Sequence, residues 1–320
     1  MLVCGTNLIS LAQLPFPALL VLNKVDNTLV IVDPATNVIV GTVPTGNAPH
    51  EVAASSDGLY AYVTNYGPFE PDQPGNSLSV IDLGTRKETR VDVSPLRRPH
   101  GIEFAGDKVY FTAELSKAIA RFDPQSQKLD WLLGTGQNRT HMLVLSKDLN
   151  TIFTANITSN TISMLQRTSG PEEWTETVIP VGKGPEGCDL SPDGKEFWAA
   201  NSSDGSVSII DVAEKKVLQT FDVGTKRSNR LKFTPDGKTV LISDLRTGDL
   251  VIVDPQARKL TKRMNLGRSA AGILVAPDGS RAYVALSADN KVAIIDLKTL
   301  SRAGEIATGR NPDGMAWVGR

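Results

Sequence analysis

The sequence predicts an all-β protein that folds as a seven-bladed β-propeller of four-stranded blades. Three observations support this fold class: a pattern that repeats about every 42–50 residues, a turn motif that recurs once per repeat, and a first repeat whose missing strand lies at the C-terminus. Repeats of this length are typical of propeller blades. We therefore expect one closed domain rather than two.

The clearest repeat reads DLSPDGKEFWAANSSDGSVSIIDVAEKKVLQTFDVG and contains four short runs of strand-forming residues. The first run ends at a Ser-Pro-Asp-Gly turn, and the next three are EFWAAN, SVSIID and KVLQTFDVG. Alternating apolar and β-branched residues, separated by Gly, Asp and Asn, predict antiparallel strands joined by tight turns. Each repeat therefore predicts one four-stranded blade.

Aspartates recur at two fixed places in the repeat. One set occupies the turn after the first strand: Asp57, Asp107, Asp148, Asp193, Asp236 and Asp278. The other set ends the third strand: Asp33, Asp82, Asp123, Asp211, Asp254 and Asp296, with Gln166 in this place in the fourth blade. Because an Asp carboxylate accepts hydrogen bonds from backbone N–H groups just ahead of it, both sets indicate turns rather than metal ligands.

The first repeat supplies only three strands, ALLVLNK, NTLVIVD and NVIVGTVP. The strand that it lacks is found at the other end of the chain, in DGMAWVGR. A blade shared by the two ends closes the ring and removes the open sheet edges of a linear array. An open β-sandwich array, the competing fold, leaves this split blade unexplained.

Composition limits the function classes. The chain has 320 residues, 34 Lys and Arg, 35 Asp and Glu, and a formal net charge of −1, so no global field favours nucleic acid or a membrane surface. No apolar run reaches the roughly 18 residues that span a bilayer. The two cysteines, Cys4 and Cys188, do not indicate a disulfide framework, and we expect Cys188 to be an inert core residue.

Residues 1–15 are predicted to be a leader or remnant signal segment, and residues 16–320 a single propeller domain. The segment Ser10-Leu11-Ala12-Gln13 is similar to the small-residue end of a secretory signal, but a basic start and a full apolar core are missing. A truncated signal peptide would explain this pattern and predicts a periplasmic or secreted protein. A short leader on a cytoplasmic protein is the alternative.

The segment AYVTN at Ala61–Asn65, followed by SLSVIDL and by the SPDG turns, resembles the YVTN-repeat propellers, which include the YncE-like bacterial proteins. The resemblance extends from about Pro17 to the end of the chain. It implies the propeller fold but little about function, because related propellers include surface-layer proteins, binding scaffolds, lactonases, lyases and metal oxidoreductases.

Aligned repeats place one residue per blade at the start of the innermost strand, and we call these seven the ring residues. They are His50, His100, His141, Glu186, Asn229, Ala271 and Asp313. All three histidines of the chain fall in this set. Because inner strands surround the axis of a propeller, the ring residues are predicted to meet at the mouth of a central channel.

Three histidines on consecutive blades, with Glu186 on the next, predict a divalent metal site at His50, His100, His141 and Glu186. Neutral imidazoles and one carboxylate suit Zn, Cu or Fe, whereas Ca²⁺ prefers oxygen ligands. The alternatives are a polar ligand pocket and a channel lining with no ligand. No nucleotide cofactor is indicated, since the phosphate-loop and haem-attachment motifs are absent from the sequence.

The ends of the second strands form another set of polar residues: Asn23, Asn65, Glu114, Asn156, Asn201, Asp244 and Ser287. Most are typical turn residues, but Glu114 is not. We therefore predict that Glu114 orients an imidazole or acts as a general base. Asp313 is the second candidate for moving a proton.

Basic residues are frequent in the loops that lead to the ring: Arg97, Arg98, Arg139, Lys183, Lys226, Arg227, Arg230, Arg268 and Arg310. They predict an anionic ligand, held by Arg98, Arg139, Asn229 and Arg230, although dispersed surface charge is the alternative.

An insertion at 67–76 lengthens the first step between ring residues and places Tyr66 and Phe69 near His50, as a lid or as stacking groups.

Two functions fit these residues. The first is a metal-dependent lyase, lactonase or oxidoreductase that acts on an anionic small molecule. The second is a non-catalytic binding or scaffold propeller whose basic face meets a protein, a polyanion or single-stranded nucleic acid, the last being the minor alternative because exposed aromatic residues are few. The sequence does not predict an oligomeric state.

Overall fold

Seven four-stranded antiparallel sheets, the blades of a β-propeller, make up the computed structural model, which confirms the predicted fold class. The structure describes residues 16–70, 72–170 and 173–319, so the predicted leader and Cys4 lie outside the described residues. Within those ranges no helix has the length and apolar character needed to cross a membrane.

Blades one to four are built as follows. Blade one contains β1 (Ala18–Asn23), β2 (Thr28–Asp33) and β3 (Val38–Pro44). Blade two contains β4 (Pro49–Ala54), β5 (Tyr60–Asn65), β6 (Ser77–Asp82) and β7 (Lys87–Asp92). Blade three contains β8 (Pro99–Ala105), β9 (Lys108–Ala113), β10 (Ala118–Asp123) and β11 (Lys128–Gly134), with a 3-10 helix at Glu114–Ser116. Blade four contains β12 (Thr140–Leu145), β13 (Thr151–Asn156), β14 (Thr161–Arg167) and β15 (Trp174–Pro180).

Blades five to seven follow the same order. Blade five contains β16 (Pro185–Leu190), β17 (Glu196–Asn201), β18 (Ser206–Asp211) and β19 (Lys216–Asp222). Blade six contains β20 (Ser228–Phe233), β21 (Val240–Asp244), β22 (Asp249–Asp254) and β23 (Lys259–Asn265). Blade seven contains β24 (Ala270–Val275), β25 (Arg281–Leu286), β26 (Lys291–Asp296) and β27 (Ser301–Ala307). The last strand, β28 (Pro312–Val318), joins blade one.

The two ends of the chain close the ring, as the split repeat predicts. Strand β28 pairs antiparallel with β1, with Leu20 opposite Ala316 and Leu19 opposite Trp317. The innermost strands contact one another in sequence around the axis, and β28 contacts β4 to complete the circle. Closure therefore pairs the sheet edge that the N-terminal blade would otherwise expose.

The core consists of seven apolar clusters, one at each interface between neighbouring blades. At the interface of blades five and six, for example, Trp198 and Val207 pack with Leu231 and Val251. The second and third strands of the blades are buried almost throughout, whereas outer strands such as β19 alternate exposed and half-buried residues. Burial on both faces explains why the middle strands read as continuous apolar runs.

The recurring aspartates hold turns. Asp193 Oδ1 accepts hydrogen bonds from the Ser191 hydroxyl and from the backbone N–H of Lys195 at 2.7 and 3.1 Å. Asp211 Oδ1, at the end of β18, accepts one from the Glu214 N–H at 2.8 Å. Their structural role is thereby confirmed.

Cys188 is buried in the core between blades four and five, and burial raises the pKa of its thiol to about 12, which agrees with inert packing.

Candidate functional site at the channel mouth

Each inner strand carries a bulge at its ring residue. On β4 the pairing with β5 jumps from Pro49 to Val52, and the same irregularity occurs in the other six blades. A bulge leaves residues unpaired and re-aims their side chains. In blade two these residues are His50 and Glu51, so the bulge directs two consecutive side chains to the site.

The backbone just before the ring residue is also unusual. In six blades, the residue two positions earlier has a positive φ of 48 to 67°: Ala48, Arg98, Arg139, Gly184, Ser269 and Asn311. For a residue with a Cβ this left-handed conformation is unfavourable and is found where the surrounding structure imposes it. The repeated backbone geometry explains why one residue of each blade reaches the same place.

The three histidines lie side by side. The ring centroids of His50 and His100 are 5.1 Å apart, and those of His100 and His141 are 3.7 Å apart. All three side chains are buried. The three histidines are therefore close together, as the aligned repeats predicted, and the rings of His100 and His141 are tilted by 33° to each other.

Hydrogen bonds fix two of the imidazoles. Nδ1 of His50 lies 2.8 Å from the backbone oxygen of Ala48, and Nδ1 of His141 lies 3.1 Å from Oε2 of Glu114. Both partners are acceptors, so we assign the proton of each ring to Nδ1. In a neutral ring this assignment leaves Nε2 with a free lone pair. Glu114 thus takes the orienting position that the sequence predicted.

Glu114 also binds Arg139, whose Nε donates to Oε1 at 2.5 Å. Burial alone would raise the pKa of Glu114, but the hydrogen bonds from His141 and Arg139 outweigh burial and hold that pKa at about 2. Glu114 is therefore a carboxylate near neutral pH. Arg139 keeps 45% of its side chain exposed, so part of its guanidinium faces solvent at the mouth.

Burial keeps the other two imidazoles neutral. It lowers the pKa of His50 to about 3, with a further contribution from the charge of Lys24. Burial and the neighbouring His141 hold the pKa of His100 well below its usual range. Neutral imidazoles are the form that binds metals.

Two buried imidazole nitrogens lack a hydrogen-bond partner among the described residues: Nδ1 of His100 and Nε2 of His141. Nε2 of His141 lies 3.9 Å from Oε1 of Glu186. Oε1 of Glu186 in turn accepts a hydrogen bond from Nδ2 of Asn229 at 2.7 Å. Nε2 of His141 therefore faces a carboxylate oxygen at a distance too long for a direct hydrogen bond.

A charged cluster occupies the neighbouring part of the ring. Nζ of Lys24 lies 2.7 Å from Oδ2 of Asp313, and Nη2 of Arg230 binds Oε1 of Glu51 and lies 3.9 Å from Oδ1 of Asp313. Burial opposes ionisation of Asp313, but Lys24 and Arg230 hold its pKa at about 2. Asp313 is therefore a carboxylate near neutral pH, and the guanidinium of Arg230 is occupied by carboxylates of the protein.

An aromatic group adjoins the histidines. The ring centroid of Tyr66 is 4.4 Å from that of His50 and 5.5 Å from that of His100. Phe69 lies 6.0 Å from His50. The guanidinium of Arg98 lies 4.7 Å from the Tyr66 ring centroid, and its Nη2 donates to the backbone oxygen of Glu70 at 3.1 Å. Arg98 is thus buried beneath the insertion.

Most second-strand ends hold turns of the propeller instead of lining a pocket. Nδ2 of Asn65 donates to the Ser77 and Ser79 hydroxyls, and Asn201 makes the equivalent bonds in blade five. Asp244 accepts hydrogen bonds from the backbone N–H groups of Lys226 and Arg227. Glu114 is the exception, as its residue type suggested. Ala271 is buried and brings no polar group to the ring.

Glu51 and Lys24 were not predicted from the sequence as site residues. Glu51 follows His50 directly, and the corresponding residue is Gly101, Gly187, Gly272 or Gly314 in four other blades. A charged residue at a position that is usually Gly was the signal available in the aligned repeats. Lys24 follows Asn23 at the end of β1, and nothing in the aligned repeats distinguished it.

The predicted metal ligands are close together, but their arrangement is not that of a preformed centre. Within the described ranges, no group of three or more His, Cys, Asp or Glu side chains is placed to hold a metal ion. The basic loop residues Arg97, Lys183, Lys226 and Arg227 are exposed, whereas Arg268 and Arg310 pair with Asp289 and Asp26.

A closed ring of seven four-stranded blades, with polar residues at the start of each inner strand, defines the class of protein as a β-propeller with a candidate site at the channel mouth. Residues 149–317, which are 169 of the 320 residues, match the family model described as a YNCE-like beta-propeller. The chain belongs to this family. No curated protein matches it.

Solved structures share the fold at low sequence identity. A candidate 6-phosphogluconolactonase from Bacteroides uniformis has a TM-score of 0.77 and 17% identity, covering 94% of this chain and 99% of the other. A functionally unknown protein from Desulfotomaculum acetoxidans has a TM-score of 0.78 and 13% identity, with the same coverage of 94% and 99%. Hydrazine synthase from Kuenenia stuttgartiensis has a TM-score of 0.69 and 20% identity, covering 84% and 89%.

Proposed function

We propose that the channel mouth binds a divalent transition metal, Zn, Cu or Fe, through the ring histidines, and that the loaded site acts on a small anionic molecule. One observation carries the proposal: His50 and His141 each have Nδ1 bonded to a fixed acceptor, which leaves Nε2 as a ligand. Metal-binding histidines almost always have their second nitrogen held in this way.

The unpartnered buried atoms also support a cation at this place. Nε2 of His141 and Oε1 of Glu186 lie 3.9 Å apart, and a cation between them would be bound by both when the imidazole is neutral. Nδ1 of His100 is a third nitrogen without a partner among the described residues. Binding of all three histidines would require the His100 ring to turn away from His141.

A bound metal would supply a Lewis acid or activate a water molecule. The side chains around it have separate tasks in this proposal. Glu114 holds His141 in orientation, Arg139 presents its exposed guanidinium to an anion, and Asp313 accepts a proton. Lyase, lactonase and oxidoreductase reactions all fit this arrangement, and the Bacteroides structure named as a candidate lactonase makes lactones a reasonable first substrate class.

Elemental analysis and zinc titration of protein without a polyhistidine tag test the proposal. We expect about one equivalent of Zn, Cu or Fe in the unmodified protein and its loss in the double variant His50→Ala, His100→Ala. The variant Arg268→Gln is the matched control, because Arg268 lies in a loop near the ring but pairs with Asp289. Absence of metal before and after reloading would overturn the metal site.

The second candidate is a binding propeller without chemistry. The exposed loop residues Arg97, Lys183, Lys226 and Arg227 favour it, since they give the mouth a cationic rim suited to a polyanion or an acidic protein. Salt-sensitive retention on heparin distinguishes this function. Loss of retention in a Lys183→Gln, Lys226→Gln, Arg227→Gln variant, with no bound metal, would support the binding role over the enzyme.

A further inference from the structure

A row of five aromatic rings runs along one side of the channel mouth. Successive centroid distances are 5.7 Å from Phe69 to Tyr66, 4.4 Å from Tyr66 to His50, 5.1 Å from His50 to His100, and 3.7 Å from His100 to His141. Tyr66 is buried, but Phe69 is 72% exposed at the open end of the row. The row therefore ends in a ring whose surface is free to stack.

The insertion that carries Phe69 is held in place. Gly67 N–H donates to the backbone oxygen of Asn47 at 3.0 Å, and Gly75 N–H donates to that of Tyr66 at 2.8 Å. The N–H of Arg98 donates to the oxygen of Gly75 at 2.8 Å. At Gly75, an added Cβ would lie 2.0 Å from the backbone oxygen of Asn65, so only glycine permits this close approach. Phe69 is thus presented by an anchored loop.

Cationic groups adjoin the same rings. Arg98 covers the Tyr66 ring, and Arg139, from the next blade, has 45% of its side chain exposed. Glu114 accepts its hydrogen bond from Nε of Arg139, which is one of the five guanidinium N–H groups. A planar apolar surface beside an exposed guanidinium matches a ligand with an aromatic ring and a carboxylate.

We propose that the channel mouth recognises an aromatic carboxylate, whose ring stacks on Phe69 and whose carboxylate pairs with Arg139. This inference rests on the proposed function, because it names the substrate class of the same site. Aliphatic anions would lose the stacking, and neutral aromatic amides would lose the ion pair.

Isothermal titration with three matched probes tests the proposal: benzoate, cyclohexanecarboxylate and benzamide. We expect benzoate to bind most tightly. Phe69→Ala and Phe69→Leu should each weaken benzoate roughly two- to tenfold, since leucine keeps apolar area but lacks a ring. Arg139→Gln should weaken benzoate about tenfold and leave benzamide unchanged. Leu132→Ala, at another exposed apolar residue on outer strand β11, should have no effect.

The outcomes separate this inference from the metal proposal. Equal binding of benzoate and cyclohexanecarboxylate, or benzoate binding that Phe69→Ala leaves intact, overturns aromatic recognition even if zinc binds. Ring-dependent benzoate binding without any bound metal supports the inference and overturns the metal site. Because Phe69 is exposed, its substitutions should leave the circular dichroism spectrum and the melting temperature unchanged, so a lost signal reports recognition.

Discussion

Arg230 and Glu51 form an ion pair across the propeller, joining blades six and two through residues that are 179 positions apart in the chain. Each follows a ring residue directly and is turned toward the axis by a bulge. Asp313 of blade one lies beside Arg230 and is held by Lys24. The ion pair therefore links two blades that are not neighbours in the ring.

Removal of one member of this ion pair should destabilise the folded protein. In Arg230→Met we expect a loss of about 3–5 kcal/mol in the free energy of unfolding, because the Glu51 carboxylate is left buried without its partner. The double variant Arg230→Met, Glu51→Leu should recover most of that loss. Urea unfolding measures both values.

An exposed ion pair gives the comparison for this experiment. Arg268→Gln breaks the pair with Asp289, in which the Arg268 side chain is 74% exposed, and should cost less than about 1 kcal/mol. A loss in Arg230→Met no larger than that in Arg268→Gln would show that the cross-channel pair does not stabilise the propeller.

Substitution of Glu114 should act on the site through His141. Glu114→Ala removes the acceptor that fixes the Nδ1 proton, so we expect zinc affinity to fall about 10–100-fold. Nitrogen NMR of the imidazoles gives a second measurement, in which the His141 signal should change its tautomer pattern. His50 is the internal control, since its Nδ1 is bonded to the backbone of Ala48. Unchanged signals from both rings would exclude the orienting role.

The fold was predictable because its signals are local and repeated. Turn aspartates such as Asp193 and strand ends such as Asp211 bond backbone groups within three residues of themselves, so aligned repeats reveal them. The clustering of the three histidines followed from the same alignment, since one residue per blade meets at the axis.

The contacts of the site were harder to predict because they depend on bulges and on distant partners. Alignment placed Arg230 at the mouth as an anion-binding residue, but its pairing with Glu51 depends on how two bulges turn two side chains toward each other. The close contact of the His100 and His141 rings likewise depends on ring rotation, which sequence does not specify. Glu114 was identifiable because Glu is uncommon at turns.

The stability of the protein should depend on His50 between pH 7 and pH 5. Its pKa is about 3 in the folded protein against 6.5 for the free side chain, so the unfolded chain alone binds a proton in this range. Stability contributed by neutral His50 is complete above pH 6.5 and is lost as the pH falls, by about 2 kcal/mol at pH 5. Urea unfolding of the unmodified protein and of His50→Gln at both pH values measures the difference.

The variant comparison is needed because other groups titrate in the same range. The pKa of His100 is lowered in the folded protein, as is that of His50, so its contribution to stability is also lost as the pH falls. Burial raises the pKa of Glu103 to about 7, so its contribution has the opposite sign and is lost as the pH rises from 4.5 toward 7. Glu103→Gln should therefore steepen the loss of stability on acidification, whereas His50→Gln should flatten it. Parallel pH profiles for His50→Gln and the unmodified protein would contradict the burial of a neutral imidazole.

Gly272 should not tolerate a side chain, because the inner strands of blades seven and one lie close together there. A Cβ on Gly272 would lie 2.1 Å from the backbone oxygen of Asp313, which cannot move without displacing β28. We expect Gly272→Ala to cost about 2–3 kcal/mol, because the backbone of Asp313 and strand β28 must shift to make room. Gly134→Ala is the matched control, since a Cβ on Gly134 at the end of β11 meets no atom within 4 Å. Equal melting temperatures for the two variants would show that the inner strands can shift at little cost in stability. The ring residues would then not be held in a fixed arrangement.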